Sequence, residues 1–484
     1  MAGKAEPLIE RKLFAGARVR RLRRDLRLTQ AAMAEALGVS TSYLNLIERD
    51  QRPISAQVLL RMVEAFDIDP RGLAGNEEAR AYAQLREVFS DPLFEDIPIS
   101  TQEIKEIADT NPAAADAFAR LLQSYRESTA TNALLAARLA DDGRGEAQNA
   151  TSASMAHEDV RDFINQKSNY FPAIDEAAEK LYETIQIGED DPYLVLRAYM
   201  ADTHRIKTRI GTQEIMGHTL RRYDLHRQTI FLSEWLDQPG RCFQLAFQLA
   251  YLEQRNLLED EIAASSLEHE ETVRLARKSL ANYFAAALLM PYHLFLQTAE
   301  ENEYDIALLG RRFGTSFEQV CHRLTTLQHP GARGVPFFLI RVDNAGNVSK
   351  RFSAGGFHFS RFGGTCPRWN LHDAFRYPGK MLTQIVQMED KTRYFSITRT
   401  TGHNVTGFDM PDSQFAIGLG CEIAHAPRLT YARGMNLEDP ASDTLIGTNC
   451  RLCERQDCQQ RATPPLNRKL KVNENTRGLS FFEF

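Results

Sequence analysis

The chain has 484 residues, enough for two to four domains, and its 43% hydrophobic and 25% charged residues are those of an ordinary globular chain rather than a disordered or fibrous one. Its net charge of −6 excludes a uniformly basic protein that coats nucleic acid. No run approaches the roughly 18 apolar residues of a membrane span, and the first residues lack the apolar core of a secretion signal, so a cytoplasmic protein without a membrane partner is expected.

The charge is uneven. Residues 1–75 hold 13 basic and 9 acidic side chains, a balance of +4, which leaves −10 for the rest. Residues 11–27 alone carry eight cations (Arg11, Lys12, Arg18, Arg20, Arg21, Arg23, Arg24, Arg27) against Asp25, a stripe suited to phosphate contact. Thr29 can cap a helix that starts at Gln30 and buries Met33, Ala34 and Leu37. Gly38 ends it, and Ser40 caps a second helix whose apolar face is Tyr43 or Leu44 with Ile47. Helix, three-residue turn and helix make the DNA-reading supersecondary unit. The segments LTQAAMAEALGVS, SYLNLIE and RP resemble the Cro/repressor-type helix-turn-helix family over residues 14–75. That resemblance implies a five-helix DNA-binding domain over 10–76. It implies that Gln30 and Arg52 touch phosphates and that Thr41, Ser42 and Asn45 reach base edges, with Tyr43 and Arg49 completing the DNA-facing set. It also implies a dimer on two half-sites of double-stranded DNA.

Residues 55–88 read as helical (Leu59, Leu60, Val63, Phe66) and finish the DNA domain. Residues 77–154 read as a helical linker region. Within it, Asn111-Pro112 opens a long helix to about Leu139. Its apolar positions Phe118, Leu121, Leu122, Leu134, Leu135 and Leu139 suit either a dimerisation seam or packing within the chain. Asp141 to Ser154 is polar, small and aperiodic, the composition of a flexible linker.

From 155 to 330 the pattern is mainly helical, with a short strand pair near 206–233. RCFQLAFQLAYLE (Arg241 to Glu253) and LANYFAAALLMP (Leu280 to Pro291) resemble the ImmA/IrrE-type zinc metallopeptidase fold. Zinc hydrolysis there needs two His at i and i+4, with a Glu general base beside the first. The corresponding positions read Phe247, Gln248 and Tyr251, and the third-ligand position reads Leu280, so no catalytic residue and no enzyme are expected. Cys242 and Cys321 fall in apolar helical patterns as core thiols.

After Val335 the period changes to two. VPFFLIRVDNAGNVSKRFSA reads as a hairpin, and MLTQIVQMED, RYFSITRTT and FAIGLGCEIA add strands. Residues 331–484 thus form an α+β domain, comparable by analogy to PAS- or GAF-like sensor domains. Five of the seven cysteines lie here, a distribution that favours metal over disulfides in a reducing compartment. Cys450, Cys453 and Cys458 share one polar loop, and Cys366 and Cys421 are remote candidates for a fourth ligand. The C-x2-C-x4-C spacing matches neither standard ferredoxins nor a zinc ribbon, and leaves iron–sulfur, zinc and reduced thiols open.

Taken together, several stretches resemble one family, the short-chain fatty-acyl-CoA-responsive transcriptional regulators of bacterial propionate, acetate and glyoxylate metabolism. They are the helix-turn-helix, Val160 to Glu179, Arg221 to Asp224, the peptidase-like helix without ligands, Gly363 to Phe375, Gly420 to Ala432 and Ile446 to Leu466. The resemblance implies a multidomain, mainly α protein with an α+β C-terminal part. Its partners would be an operator DNA, a short-chain acyl-CoA effector such as propionyl-CoA, and copies of itself as a dimer or larger. It moves the metal choice towards a four-iron four-sulfur cluster, with zinc as the alternative, on four of Cys366, Cys421, Cys450, Cys453 and Cys458. CoA phosphates need cations. Of Arg221, Arg222, Arg341, Lys350, Arg351, Arg361 and Arg368, the choice falls on Arg221, Arg222 and Arg361. Trp369 and Phe375 either wall the ligand pocket or pack the core. An iron–sulfur redox or iron sensor is the alternative reading, and a working metallopeptidase the third.

Overall fold

Short polar caps start the N-terminal helices. The Thr29 hydroxyl accepts from the Ala32 N–H at 3.1 Å and starts α2 (Gln30–Ala36). Ser40 does the same from Tyr43 for α3 (Thr41–Glu48). Between them Gly38 takes φ +61°, a left-handed conformation that a side chain would strain. With α1 (Gly16–Asp25) and α4 (Ala56–Phe66), these helices enclose Val19, Met33, Leu37, Leu44, Ile47 and Met62. Leu44 and Ile47 form the inward face of α3, while Tyr43 is half-buried. The computed structural model describes residues 16–484 apart from 27, 50, 67–76, 95–96, 98, 141–147, 189–190, 360–363, 404–412, 466–467, 473–474, 476, 479 and 481. A fifth helix within 67–76 would lie outside the described residues.

The chain divides into two compact units, Met1–Tyr125 and Arg126–Phe484. In the first, α5 (Glu77–Phe89), α6 (Thr101–Thr110) and the start of α7 (Pro112–Ala140) share a small core of Ala81, Leu85, Ile104, Ala108 and Ala115. Residues 77–88 therefore do not continue the DNA-reading bundle, because their apolar face is taken by α6 and α7. On α7, Leu122 is buried, whereas Phe118, Leu121 and Tyr125 are exposed, Leu121 by 67%. The side chains of Leu134, Leu135 and Leu139 lie outside the described residues.

In the second unit, α8 (Gln148–Gln166) takes up half of the expected linker. Residues 148–154 contain no Gly or Pro, so nothing stops the helix from growing N-terminally from its packed half at Ala156, Val160 and Phe163. It packs with α9 (Pro172–Ile185), α10 (Pro192–Asp202), α11 (Gln238–Glu253), α12 (Arg255–Ala263) and α13 (Glu270–Leu289) around one core. A three-stranded sheet joins it. Central β3 (Thr229–Ser233) pairs parallel with β1 (Lys207–Gly211) and antiparallel with β2 (Arg221–Asp224). No single described helix is long and apolar enough to cross a membrane.

Helices α14 (Tyr292–Glu301), α15 (Ile306–Phe313) and α16 (Phe317–Leu324) then cover one face of a six-stranded sheet. Its strands are β4 (Phe338–Asp343), β5 (Val348–Ser353), β6 (Leu382–Gln387), β7 (Arg393–His403), β8 (Ser413–Glu422) and a two-residue β9 (Thr444–Leu445). They lie in the order β5-β4-β8-β7-β6-β9, antiparallel except for β9 on β6. The β4–β5 hairpin turns through Asn344–Asn347 as the alternation predicts, and β9 has no sequence signal. Period two puts Ile417, Leu419 and Cys421 of β8 on the helix-covered face. Ala416, Gly418 and Gly420 face the other way, where Phe338, Phe357 and Trp369 pack.

A buried ion pair joins the helical core to the helices over the sheet. Arg323 on α16 is fully buried and donates Nη2 to Asp175 Oδ1 on α9 at 2.5 Å, Nε to the Met290 carbonyl at 3.0 Å, and Nη1 to Thr326 at 3.0 Å. The Tyr283 hydroxyl of α13 donates to the second Asp175 oxygen and accepts from the Phe171 N–H. Asp175→Ala would leave a guanidinium without its anion where water does not reach. We expect a loss of about 3–5 kcal/mol, read as a lower urea midpoint by circular dichroism, with Asp175→Asn losing less. An unchanged midpoint for both variants would contradict this role.

Candidate functional site

On α3, Thr41, Ser42 and Arg49 are exposed and Asn45 is half-buried; the spacing 41, 45, 49 sets them along one face. Arg52 is exposed, with its guanidinium 5.6 Å from the Tyr43 ring centroid. Gln30 starts α2 and donates Nε2 to Glu48 Oε2 at 2.6 Å, which leaves one amide hydrogen for a phosphate.

Glu48 organises this end and has no place in the sequence reading, although it falls one helical turn after Leu44, on the inward side. It is 2% exposed and accepts from Arg23 Nε at 2.6 Å and Nη2 at 3.1 Å. Its carbonyl accepts from Arg20 at 2.5 Å. Burial alone pushes the carboxyl up, but the hydrogen bonds from Arg23 and Gln30 outweigh it and hold the group below the ordinary glutamate range. Arg20 and Arg23 are thus turned inward and are not part of a phosphate-facing stripe. Arg11, Lys12 and Arg27 lie outside the described residues, as do the side chains of Arg18, Arg21 and Arg24.

In the peptidase-like part, Phe247 and Gln248 of α11 are buried, Tyr251 is half-buried, and Leu280 is packed in the core. Arg221 reaches them from β2. Its Nη1 donates to Gln248 Oε1, and its Cζ lies 4.4 Å from the Phe247 ring centroid. Burial pushes this guanidinium down to about 10, so it stays charged at neutral pH. A fixed cation therefore stands among the side chains that replace two His and a Glu. Gln248 cannot take a proton as Glu would, whereas a guanidinium can receive carboxylate, phosphate or carbonyl oxygen. Arg222 faces outward over the Phe231 ring at 5.2 Å.

Arg341 and Lys350 both bond Glu318 at 2.8 Å, and Arg351 bonds Glu158 at 3.0 Å, so acids already hold these three. Arg361 lies outside the described residues. Trp369 is core and donates Nε1 to Ser396 at 2.8 Å, yet its edge also walls a small groove with Phe357, Phe359 and Gly447. Phe375 is half-buried against the same core.

Four cysteines come to one region. Burial pushes the Cys366 thiol up, N–H groups of Gly447 and Arg368 bond it, and thiolates at Cys450 and Cys458 would push it up further, which puts these residues near one another. Cys453 is packed so tightly on Gly447 that a Cβ there would lie 2.8 Å from Sγ. Burial, followed by Glu389, pushes the Cys453 thiol up to about 12. Cys421 is on the opposite face of the sheet, beside Phe395 in register, so strand alternation turns it away from the loop and leaves Cys366 as the remote thiol that faces it. Cys242 and Cys321 are buried among core side chains. Four soft thiols fit zinc or an iron–sulfur centre by donor type. They are not gathered on one point: among the described residues, no three His, Cys, Asp or Glu side chains stand close enough to hold a metal ion.

Three family models match the chain. They are a helix-turn-helix over residues 19–73, an IrrE N-terminal-like domain over 201–325, and the C-terminal domain of short-chain fatty acyl coenzyme A regulators over 326–482. Similar proteins include the HTH-type transcriptional regulators RamB (42% identical, 97% of this chain and 98% of that one) and PrpR (40%, 96% and 94%) of Mycobacterium tuberculosis. The propionyl-CoA carboxylase regulator of Cereibacter sphaeroides is 41% identical over 98% of this chain and 99% of its own. A solved Mycobacterium tuberculosis transcriptional regulator aligns with a TM-score of 0.65 at 41% identity, covering 68% of this chain and 99% of that chain.

Glu48→Ala is expected to destabilise the DNA-reading bundle by about 3 kcal/mol at pH 7, because Arg23 loses both of its carboxylate bonds. The folded Glu48 carboxyl titrates below its unfolded value of about 4.3, so this advantage is present above about pH 4 and is lost as pH falls through the folded value. Paired thermal melts of the parent chain and the variant from pH 7 to pH 3 measure it. A gap that stays constant down to pH 3 would contradict the ion pair.

Proposed function

The chain belongs to the short-chain fatty acyl coenzyme A regulator family of helix-turn-helix transcriptional regulators; from that premise we propose that it binds operator DNA under the control of a short-chain acyl-CoA held in its C-terminal half. It regulates short-chain fatty acid metabolism of the propionate or acetate type. The observation that carries the effector part is the half-buried, charged Arg221, which stands on Phe247 and Gln248 at the N-terminal edge of that half and makes a former hydrolytic cleft a receptor for an anion or a carbonyl. Arg221 takes a CoA phosphate or the thioester oxygen, and exposed Arg222 steers the rest of the nucleotide. Thr41, Ser42, Asn45 and Arg49 read base edges, while Gln30, Tyr43 and Arg52 position the helix on the backbone. The division of labour is 10–76 for DNA, 77–154 for spacing and self-association through α7, 155–330 for the peptidase-like cleft that gives Arg221 and Arg222 to the effector, and 331–484 for the rest of the sensor with its cysteine loop. The protein works in the cytoplasm as a homodimer or larger and catalyses no reaction.

Cys366, Cys450, Cys453 and Cys458 hold the proposed iron–sulfur cluster, with zinc as the alternative metal. When bound, such a group supplies a rigid crosslink between the Cys450–Cys458 loop and Cys366. This thiol set also supports the second reading, an iron–sulfur redox or iron sensor.

Isothermal titration with propionyl-CoA and acetyl-CoA tests the effector site: Arg221→Ala should weaken binding at least about tenfold and Arg222→Ala less, in line with a half-buried against an exposed cation. Equal affinities for Arg221→Ala and the parent chain would sink this placement. Iron and acid-labile sulfide content after anaerobic purification tests the ligands. Cys366→Ser and Cys453→Ser should lose the cluster and Cys421→Ser should keep it; loss only in Cys421→Ser would reverse the assignment.

A further inference from the structure

Past β9 the described residues form no helix or strand, so no backbone ladder holds the loop that carries Cys450, Cys453 and Cys458. Loops of this kind keep one shape only where their carbonyls find fixed donors. Here one side chain supplies them. Arg461 is 7% exposed and lies inside the loop. Its Nη1 donates to the carbonyls of Cys450 at 2.8 Å and Thr463 at 3.4 Å, and its Nη2 to those of Cys453 at 2.8 Å and Arg455 at 2.7 Å. The Arg461 N–H bonds the Cys458 carbonyl at 3.3 Å, so all three cysteines of the loop are tied through their own backbone to one residue. The guanidinium is held in turn by the Phe484 ring, 4.9 Å from Cζ, and the Phe484 carbonyl accepts from Gln456 inside the loop at 3.5 Å.

We propose that Arg461 is the positioning residue of the cysteine loop: its planar fork fixes the backbone of Cys450, Cys453 and Cys458 in one arrangement before any metal arrives, and Phe484 holds the fork in place. Four carbonyls converging on one group select a guanidinium. A lysine ammonium is a compact point charge that cannot span them, and a glutamine has too few donors. A buried cation beside several thiols also offsets the charge that thiolates would carry. The inference rests on the cysteine-site reading for its metal consequence, but not for the order of the loop itself.

The test uses the full chain, reduced and metal-free, as the parent protein, Arg461→Lys and Phe484→Ala. Pulse alkylation with iodoacetamide, read by peptide mass spectrometry, reports each thiol separately. In Arg461→Lys, Cys453 and Cys458 should react about tenfold faster, with a smaller rise in Phe484→Ala, while Cys242 and Cys321 stay as protected as in the parent. Titration with cobalt(II) alone, followed by its thiolate charge-transfer band, should show affinity lower by about tenfold in Arg461→Lys. Unchanged loop reactivity in both variants would overturn the proposal. So would parallel exposure of Cys242 and Cys321 in both, since Arg461 would then stabilise the fold at large. If the parent chain binds no cobalt while the variants still expose the loop thiols, the metal reading fails and the positioning role stands.

Discussion

The second unit depends on a charge that cannot stay in water. Arg323 is buried completely, and its fork is shared between Asp175, the Met290 carbonyl and Thr326. Desolvating a guanidinium and a carboxylate costs several kcal/mol each, and only full hydrogen bonding offsets it. That requirement fixes α9, α13 and α16 together, because Tyr283 must satisfy the second Asp175 oxygen while Arg323 takes the first. The apolar cores on either side could slide by a methyl group at modest cost; the ion pair could not.

The same device recurs at each proposed working end. Glu48 gathers Arg23, Gln30 and, through its carbonyl, Arg20, and so sets the angle between α1, α2 and α3. Arg461 gathers the carbonyls of a loop without secondary structure. Arg221 stands on Phe247 and Gln248, the positions at which the HExxH motif would carry its first His and its Glu, and it keeps a positive charge there. In each case one charged side chain held by hydrogen bonds, rather than a broad apolar surface, positions its neighbours.

Much of this was legible in the sequence, for identifiable reasons. Thr29, Gly38 and Ser40 act locally, so the two reader helices follow from the residues alone. The alternation in Phe338–Asp343, Val348–Ser353, Leu382–Gln387 and Ser413–Glu422 needs no tertiary knowledge either. Phe247, Gln248 and Tyr251 stand, by identity alone, where the zinc-binding motif would carry two His and a Glu. What escaped depends on distant partners. Arg20 and Arg23 read as phosphate-facing because a one-dimensional stripe does not show that Glu48 lies beneath it. Cys421 and Cys366 looked equivalent until the register of β8 against β7 turned one to each face. Residues 148–154 looked like linker because their composition is weakly helical, and packing further along α8 decides the matter. Arg461 carried no signal, since its partners are carbonyls and every residue has one.

If binding in the acyl-CoA cleft and binding by the reader helices are linked, they share one coupling free energy, and each must change the other by the same factor. Fluorescence anisotropy of a labelled operator, obtained by selection with the full chain, measures this directly in the presence and absence of saturating propionyl-CoA. Operator affinity should shift by at least about fivefold, with propionyl-CoA affinity shifted equally by operator. Operator affinity that is identical without ligand and with propionyl-, acetyl- or butyryl-CoA would contradict the reading of this chain as an acyl-CoA-controlled regulator.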